Sequence, residues 1–208
     1  MMLCVLAAGG TAQGSEVISA CEIRPAALCS AADLSRAHLG GADLRMSDLS
    51  DAKLDGADIR DARLDQANLK RARLDEADLR MASLVSAKMK RATMRKAVLS
   101  RARLERAELR AAELTSADLR HADLAHADLA DAKLKGAVAR NAVLVGVTLD
   151  RAQLEMADLR GSDLTKASLR NANLRDADLT GARMGETDFT GADIRGCKGC
   201  PAVTGRAE

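Results

Sequence analysis

The sequence predicts an all-β fold, a parallel β-solenoid, and three observations carry that prediction. From Ala32 to Gly196 the chain repeats one five-residue phrase, as in ADLSR, AHLGG, ADLRM and ADIRG, through 33 unbroken pentads. The third position is Leu in 26 of them and the first is Ala in 29, so the repeat is apolar at fixed places. A period of five suits neither regular element. On an α-helix each pentad would rotate the Leu by about 140° and smear the apolar residues over the whole surface. On one long strand successive Leu residues would alternate between faces. Within a pentad, however, Ala and Leu stand two residues apart, so a short extended segment points both to one side. The chain keeps them all inside only by turning a corner in every pentad and stacking the resulting coils.

The tandem phrase A-[D/N]-L-x-x resembles the pentapeptide-repeat family. That resemblance implies a right-handed quadrilateral parallel β-helix with four pentads per turn, so that residues n and n+20 lie one above the other. With coils spaced by roughly 4.8 Å, about eight coils make a rod on the order of 38 Å long.

Composition agrees with a narrow tube. The 208 residues fit one domain, and the unbroken repeat leaves no room for a second. Phe189 is the only aromatic residue, which a globular core would rarely tolerate but a tube filled with Leu and Ala requires. Lys and Arg number 32 against 30 Asp and Glu, so net charge announces no bulk electrostatic partner. The longest apolar run is too short to span a bilayer.

Taken in order, residues 1–20 open with an apolar stretch, Met1 to Ala8. Gly10-Thr11-Ala12 then supplies small residues of the kind signal peptidase accepts. The expectation is a signal peptide lacking its positive n-region, hence a periplasmic or secreted protein; the alternative is a disordered tail on a cytoplasmic one. A lipoprotein signal at Cys21 is disfavoured because Glu16 interrupts the apolar run before it. Residues 21–31 read as an N-terminal cap, 32–196 as the solenoid, and 197–208 as a C-terminal tail or cap.

Four cysteines remain outside the leader, as Cys21 and Cys29 at one end and Cys197 and Cys200 at the other. An even number in an exported chain points to two local disulfides, against the alternative of four thiols in a reducing compartment. A Cys₄ zinc site is disfavoured because the solenoid holds the pairs at opposite ends of the rod. The CKGC sequence lacks the βαβ context of a redox motif.

Within the coil, Asp or Asn fills the second position in 15 pentads, where a short acceptor can bond nearby backbone at the turn. Gly41, Gly56, Gly136, Gly161, Gly181 and Gly191 fall at the fifth position, suiting a corner with unusual φ. Fourth and fifth positions point outward and carry most of the charge. Opposite signs stack at Asp75 under Arg95, Glu76 under Lys96 and Asp131 under Arg151. Lys88 to Arg103 departs from this balance, with seven basic residues and no acidic one. Stacking at n+20 groups Lys70, Lys90 and Arg110 in one column and Arg71 and Arg91 in the next, with Arg73 close by. Like charges at β spacing repel, which makes these six the candidate patch for an anionic partner; a merely solvated face is the plainer reading.

Two further departures read as structural. Ala139 stands where Leu belongs and Val147 where Ala belongs, while Val138, Val143 and Val145 point outward. His121 and His126, among Asp118, Asp123 and Asp128, fall on successive corners, a poor geometry for one metal ion. Near the end, Met184 and Phe189 enlarge the inward residues, and Pro201 forbids another ladder strand. The tail is too short and polar for the helical dimerisation module of some relatives.

An interior filled by Leu and Ala leaves no pocket of catalytic size, and no nucleophile–base set or phosphate-cradling loop is visible. The expectation is a non-enzymatic module without cofactor or metal: a rigid rod presenting patterned charge to a protein partner rather than to nucleic acid. The second reading is a DNA mimic. Some pentapeptide-repeat proteins are similar to duplex DNA in width and charge, and so engage type II topoisomerases and protect them from quinolones. Those relatives carry an acidic surface, whereas this chain is balanced, with a basic midsection.

Overall fold

Each pentad closes the same turn in the computed structural model, which describes residues 21–201. The third-position carbonyl accepts the N–H of the next first-position residue, as in Ala37 to Leu34 (3.0 Å) and Ala77 to Leu74 (3.1 Å). Such an i to i+3 turn with a left-handed third residue reverses direction sharply enough to make a corner. Every fifth-position residue from Ala26 to Gly196 takes that conformation, with φ between +55° and +73°, and most of them are not glycine. The sequence pointed to glycine at these corners. The structure shows instead that the position, not the residue, dictates the backbone.

Between corners the coils are laddered. All the β-bridges among the described residues are parallel and join residue n to n+20, from Leu28–Asp48 through Asp178–Lys198. Four pentads therefore make one coil, as the resemblance implied. A corner every five residues leaves only one bridged residue per side, so no side carries an extended strand. Asp118 shows the pattern: its N–H donates to Ala97 below (2.9 Å), while Leu119 and His121 donate to Val138 and Arg140 above (2.7 and 3.0 Å).

The ladder omits one donor per pentad, the fourth-position N–H, and the second-position residue supplies the acceptor. Every second-position Asp or Asn between Asp33 and Asp193 accepts the N–H two residues on, as Asp118 does from Arg120 (3.1 Å) and Asp163 from Thr165 (3.0 Å). In four pentads that lack it, at Asp75, Val85, Arg95 and Arg170, a fourth-position Asp one coil below accepts that N–H instead, as Asp75 does for Arg95 at 2.8 Å. A partly buried N–H left without an acceptor costs about 1–3 kcal/mol, which explains the phrase's most regular polar residue.

First and third positions form the core, with the Ala and Leu columns buried almost throughout. Ser47 and Ser162 take Ala seats at no exposure, and each hydroxyl is satisfied by backbone: Ser47 by Ala27 N–H and Arg24 carbonyl, Ser162 by Leu159 carbonyl. Ala139 and Val147 are buried too. Phe189 is buried near the last coil, and Met184 packs against the core from its edge.

The repeated geometry starts one pentad before the repeated phrase. Leu28 bridges Asp48, and buried Cys29 occupies a Leu seat, so the segment expected as a cap contains a pentad of the ladder. At the other end Cys197 takes an Ala-type position and Lys198 bridges Asp178. Cys21 pairs with Cys29 (Cα–Cα 5.0 Å) and Cys197 with Cys200 (5.8 Å), both within disulfide reach. Among the described residues no helix is long and apolar enough to cross a membrane. The leader expected at 1–20 and most of the tail lie outside the described residues.

Candidate interaction surface

All outward chemistry sits at second, fourth and fifth positions, and its electrostatics follow three short rules of pairing. Within a pentad, a second-position Asp clamps a fourth-position Arg. Asp43–Arg45, Asp58–Arg60, Asp78–Arg80, Asp118–Arg120, Asp158–Arg160 and Asp193–Arg195 all meet at 2.5–2.7 Å through the terminal guanidinium nitrogen. The same carboxylates accept the Arg backbone N–H, and hydrogen bonds from the guanidinium hold Asp43, Asp58 and Asp193 at a pKa of about 2. Down a column, n pairs with n+20: Asp75–Arg95 (2.6 Å), Glu76–Lys96 (3.3 Å) and Asp131–Arg151 (2.6 Å), the three stacks expected from the sequence. Diagonally, n pairs with n+18, as in Arg140–Asp158 (2.6 Å).

The diagonal rule changes the candidate cationic patch. Lys70, Arg71, Arg73, Lys90, Arg91 and Arg110 stack as the 20-residue register requires, but four of them meet carboxylates. Arg71 reaches Asp51 (2.6 Å), Arg73 reaches Asp55 (2.9 Å), Lys90 reaches Glu108 (2.9 Å) and Arg110 reaches Asp128 (3.6 Å). Only Lys70 and Arg91 of the six lack an ion pair among the described residues. Arg71–Asp51 lies in a column, but the other three contacts run diagonally, at n+18, between a fourth-position residue and the second position of the coil above.

The other singled-out residues are dispersed. His121 and His126 occupy successive corners with φ of +59° each. The His126 ring folds over Gly146 in the next coil, so close that a Cβ there would lie 2.6 Å from Nδ1. No group of His, Cys, Asp and Glu suited to a metal ion occurs among the described residues. Val143 is exposed, while Val138 and Val145 are half-buried. Met46, Met81 and Met156 are exposed singly at three different corners, a feature for which the repeat phrase gives no signal.

The family described as Pentapeptide repeats (8 copies) matches residues 27–66, 60–101, 87–125, 127–165 and 157–196. Among solved structures, HetL, a pentapeptide repeat protein involved in heterocyst differentiation regulation in the cyanobacterium Nostoc sp. strain PCC 7120, is 31% identical. That match covers 79% of this chain and 84% of HetL, with a TM-score of 0.38. A pentapeptide repeat protein of the Arabidopsis thaliana thylakoid lumen is 35% identical over 43% of this chain and 63% of its own, with a TM-score of 0.42. QnrB1, a plasmid-mediated fluoroquinolone resistance protein, is 21% identical over 80% of this chain and 86% of its own, with a TM-score of 0.46. No curated protein sequence matches the chain. Tandem phrase, 20-residue register and family match together place the chain in the pentapeptide-repeat family.

Proposed function

We propose that the chain is a rigid, non-catalytic interaction rod, a right-handed four-sided β-helix of about eight coils that offers patterned charge to a protein partner. The observation that carries this reading is the division of positions. First and third positions are buried along the rod, so every reactive or charged group is displayed outward on a backbone whose register is set by the ladder. A surface of this kind selects a partner by where its charges stand rather than by a cleft. The two cysteine pairs support work outside the reducing cytoplasm, in the periplasm or after secretion.

DNA mimicry gains nothing from the surface. A mimic needs unpaired acids in register, and here the second-position carboxylates are repeatedly clamped by arginine. Photocrosslinkers placed singly at outward positions of each side, in living cells, test the proposal. A partner joined from one side only, and lost at high salt, is the expected result. Crosslinks scattered evenly over all four sides would refute it.

A further inference from the structure

The coil from Lys88 to Ala107 stands apart from the rest of the rod. It carries Lys88, Lys90, Arg91, Arg95, Lys96, Arg101, Arg103 and Arg106 against Glu105 alone, a net charge of +7. No other 20-residue coil between Asp48 and Thr187 departs from neutrality by more than three. Because one coil spans 20 residues, this basic run wraps once around the rod as a belt.

Ion pairs then neutralise the belt unevenly. Arg95 and Lys96 bind Asp75 and Glu76 below, Lys90 binds Glu108 above, and Arg103 binds Glu105 in its own pentad. Lys88, Arg91, Arg101 and Arg106 make no ion pair among the described residues and are exposed. Three of these four bound one side. Lys88 lies on the side itself, bridged between Asn68 and Glu108. Arg91 turns the corner that follows it, and Arg106 the corner that precedes Glu108. Lys70, the unpaired cation of the coil below, lies at the same corner as Arg91. Glu108, next above Lys88 on that side, is already engaged by Lys90.

We propose that Lys70, Lys88, Arg91 and Arg106 form a docking patch for a short acidic peptide segment of a partner protein, lying across the rod rather than along it. This rests on the reading of the chain as a protein-interaction rod. The charge profile along the axis favours a peptide over a long polyanion. The coil above, Glu108 to Ala127, is net −2, and the coil Asp48 to Ala67, two below, is net −3. At roughly 4.8 Å per coil, a polymer laid lengthwise meets repulsion within about 10 Å in either direction. A segment of a few carboxylates crossing that side at the belt passes one acid, Glu108, whose charge Lys90 already engages.

The test uses the whole protein and a fluorescent hexaglutamate peptide at low salt. The triple variant Lys88→Ser, Arg91→Asn and Arg106→Asn removes the patch while keeping residues that tolerate a left-handed corner. Three exposed ion pairs, each contributing roughly two- to threefold, give an expected weakening of about tenfold and a shallower salt dependence. The control variant Arg95→Ser, Lys96→Asn alters paired cations of the same belt and is expected to leave binding within about twofold. Equal loss in both variants, or a single-stranded oligonucleotide of matched charge bound more tightly than the peptide, would overturn the assignment. If crosslinking still finds a partner on another side, the interaction rod stands and only this patch falls.

Discussion

The left-handed corners make an energetic prediction of opposite sign at two positions. Ala111 sits at a corner with φ of +56°, its side chain half-buried and its N–H bonded to Ala130 above (2.9 Å). Holding a non-glycine residue there costs about 1–2 kcal/mol. Ala111→Gly removes that cost, loses about 0.5–1 kcal/mol to the greater freedom of the unfolded chain, and loses a few tenths for a half-buried methyl. The balance is a gain of about 0.5 kcal/mol, or roughly 1–2 °C in melting temperature for a chain of this size. Gly146, one of the glycine corners, behaves in reverse. Its φ is +62°, and a Cβ would fall 2.6 Å from Nδ1 and 2.9 Å from Cε1 of His126. Gly146→Ala therefore adds the left-handed cost and displaces the imidazole, for a net loss of about 1 kcal/mol or more. Guanidinium denaturation of both variants reads the two signs directly. Adding His126→Ala to Gly146→Ala should recover the steric part and leave the backbone part, which a double-mutant cycle isolates. If Ala111→Gly is destabilising, or if both variants shift the midpoint the same way, the corner argument is wrong.

Three other predictions follow from the same geometry. Leu114, fully buried in a Leu column, should not tolerate Asp: an unpaired charge in the tube should cost several kcal/mol, and a midpoint within experimental error of wild type would contradict the packing. Asp43, Asp58 and Asp193 are held at about 2 by guanidinium hydrogen bonds, below the unfolded value near 3.9, so their contribution is complete above about pH 4 and is lost as pH falls through 2. Urea midpoints should be flat from pH 7 to 5 and fall only below about 4, whereas a main loss near pH 6 would point elsewhere. Cys21 and Cys29 are buried while Cys197 and Cys200 are partly accessible, so mild reductant and alkylation should label the second pair first; the reverse order, read by mass spectrometry, would contradict the burial.

The inward half of this fold was legible because the constraint is local. Ala and Leu two residues apart must share a face, and a short carboxylate two residues before a turn finds the orphan N–H, so both columns and caps follow from neighbours in sequence. The corners were legible only in part. Glycine advertises a left-handed backbone, but Arg101, Lys96 and Met156 do not, and their conformation comes from the turn and the ladder on either side. The first pentad, Ala27 to Ala31, went unread because Cys29 fills a seat where the phrase has Leu. The cationic patch was half legible for a related reason. Vertical stacking at n+20 follows from the coil length, whereas the diagonal contacts at n+18 depend on how far lysine and arginine reach across adjacent coils.

That geometry also explains how a repeat with a filled interior can hold a message. The core fixes a period of five, but a given side returns only every 20 residues, so any charged run in the sequence is spread around all four sides. A run alone therefore makes a belt with no preferred direction. Direction comes from subtraction: Asp75 and Glu76 neutralise the part of the belt at Arg95 and Lys96, and the side bearing Lys88 keeps its charge because Asn68, the residue beneath it, is neutral. Asn68 binds Asp48 through its side-chain amide (2.9 Å) while its carbonyl oxygen accepts the Lys70 N–H, so it serves the turn as an aspartate would. Asn satisfies the fold as Asp does, and differs in leaving Lys88 without a counter-charge. The choice between those two residues at a second position is thus invisible to the core and decisive for the surface.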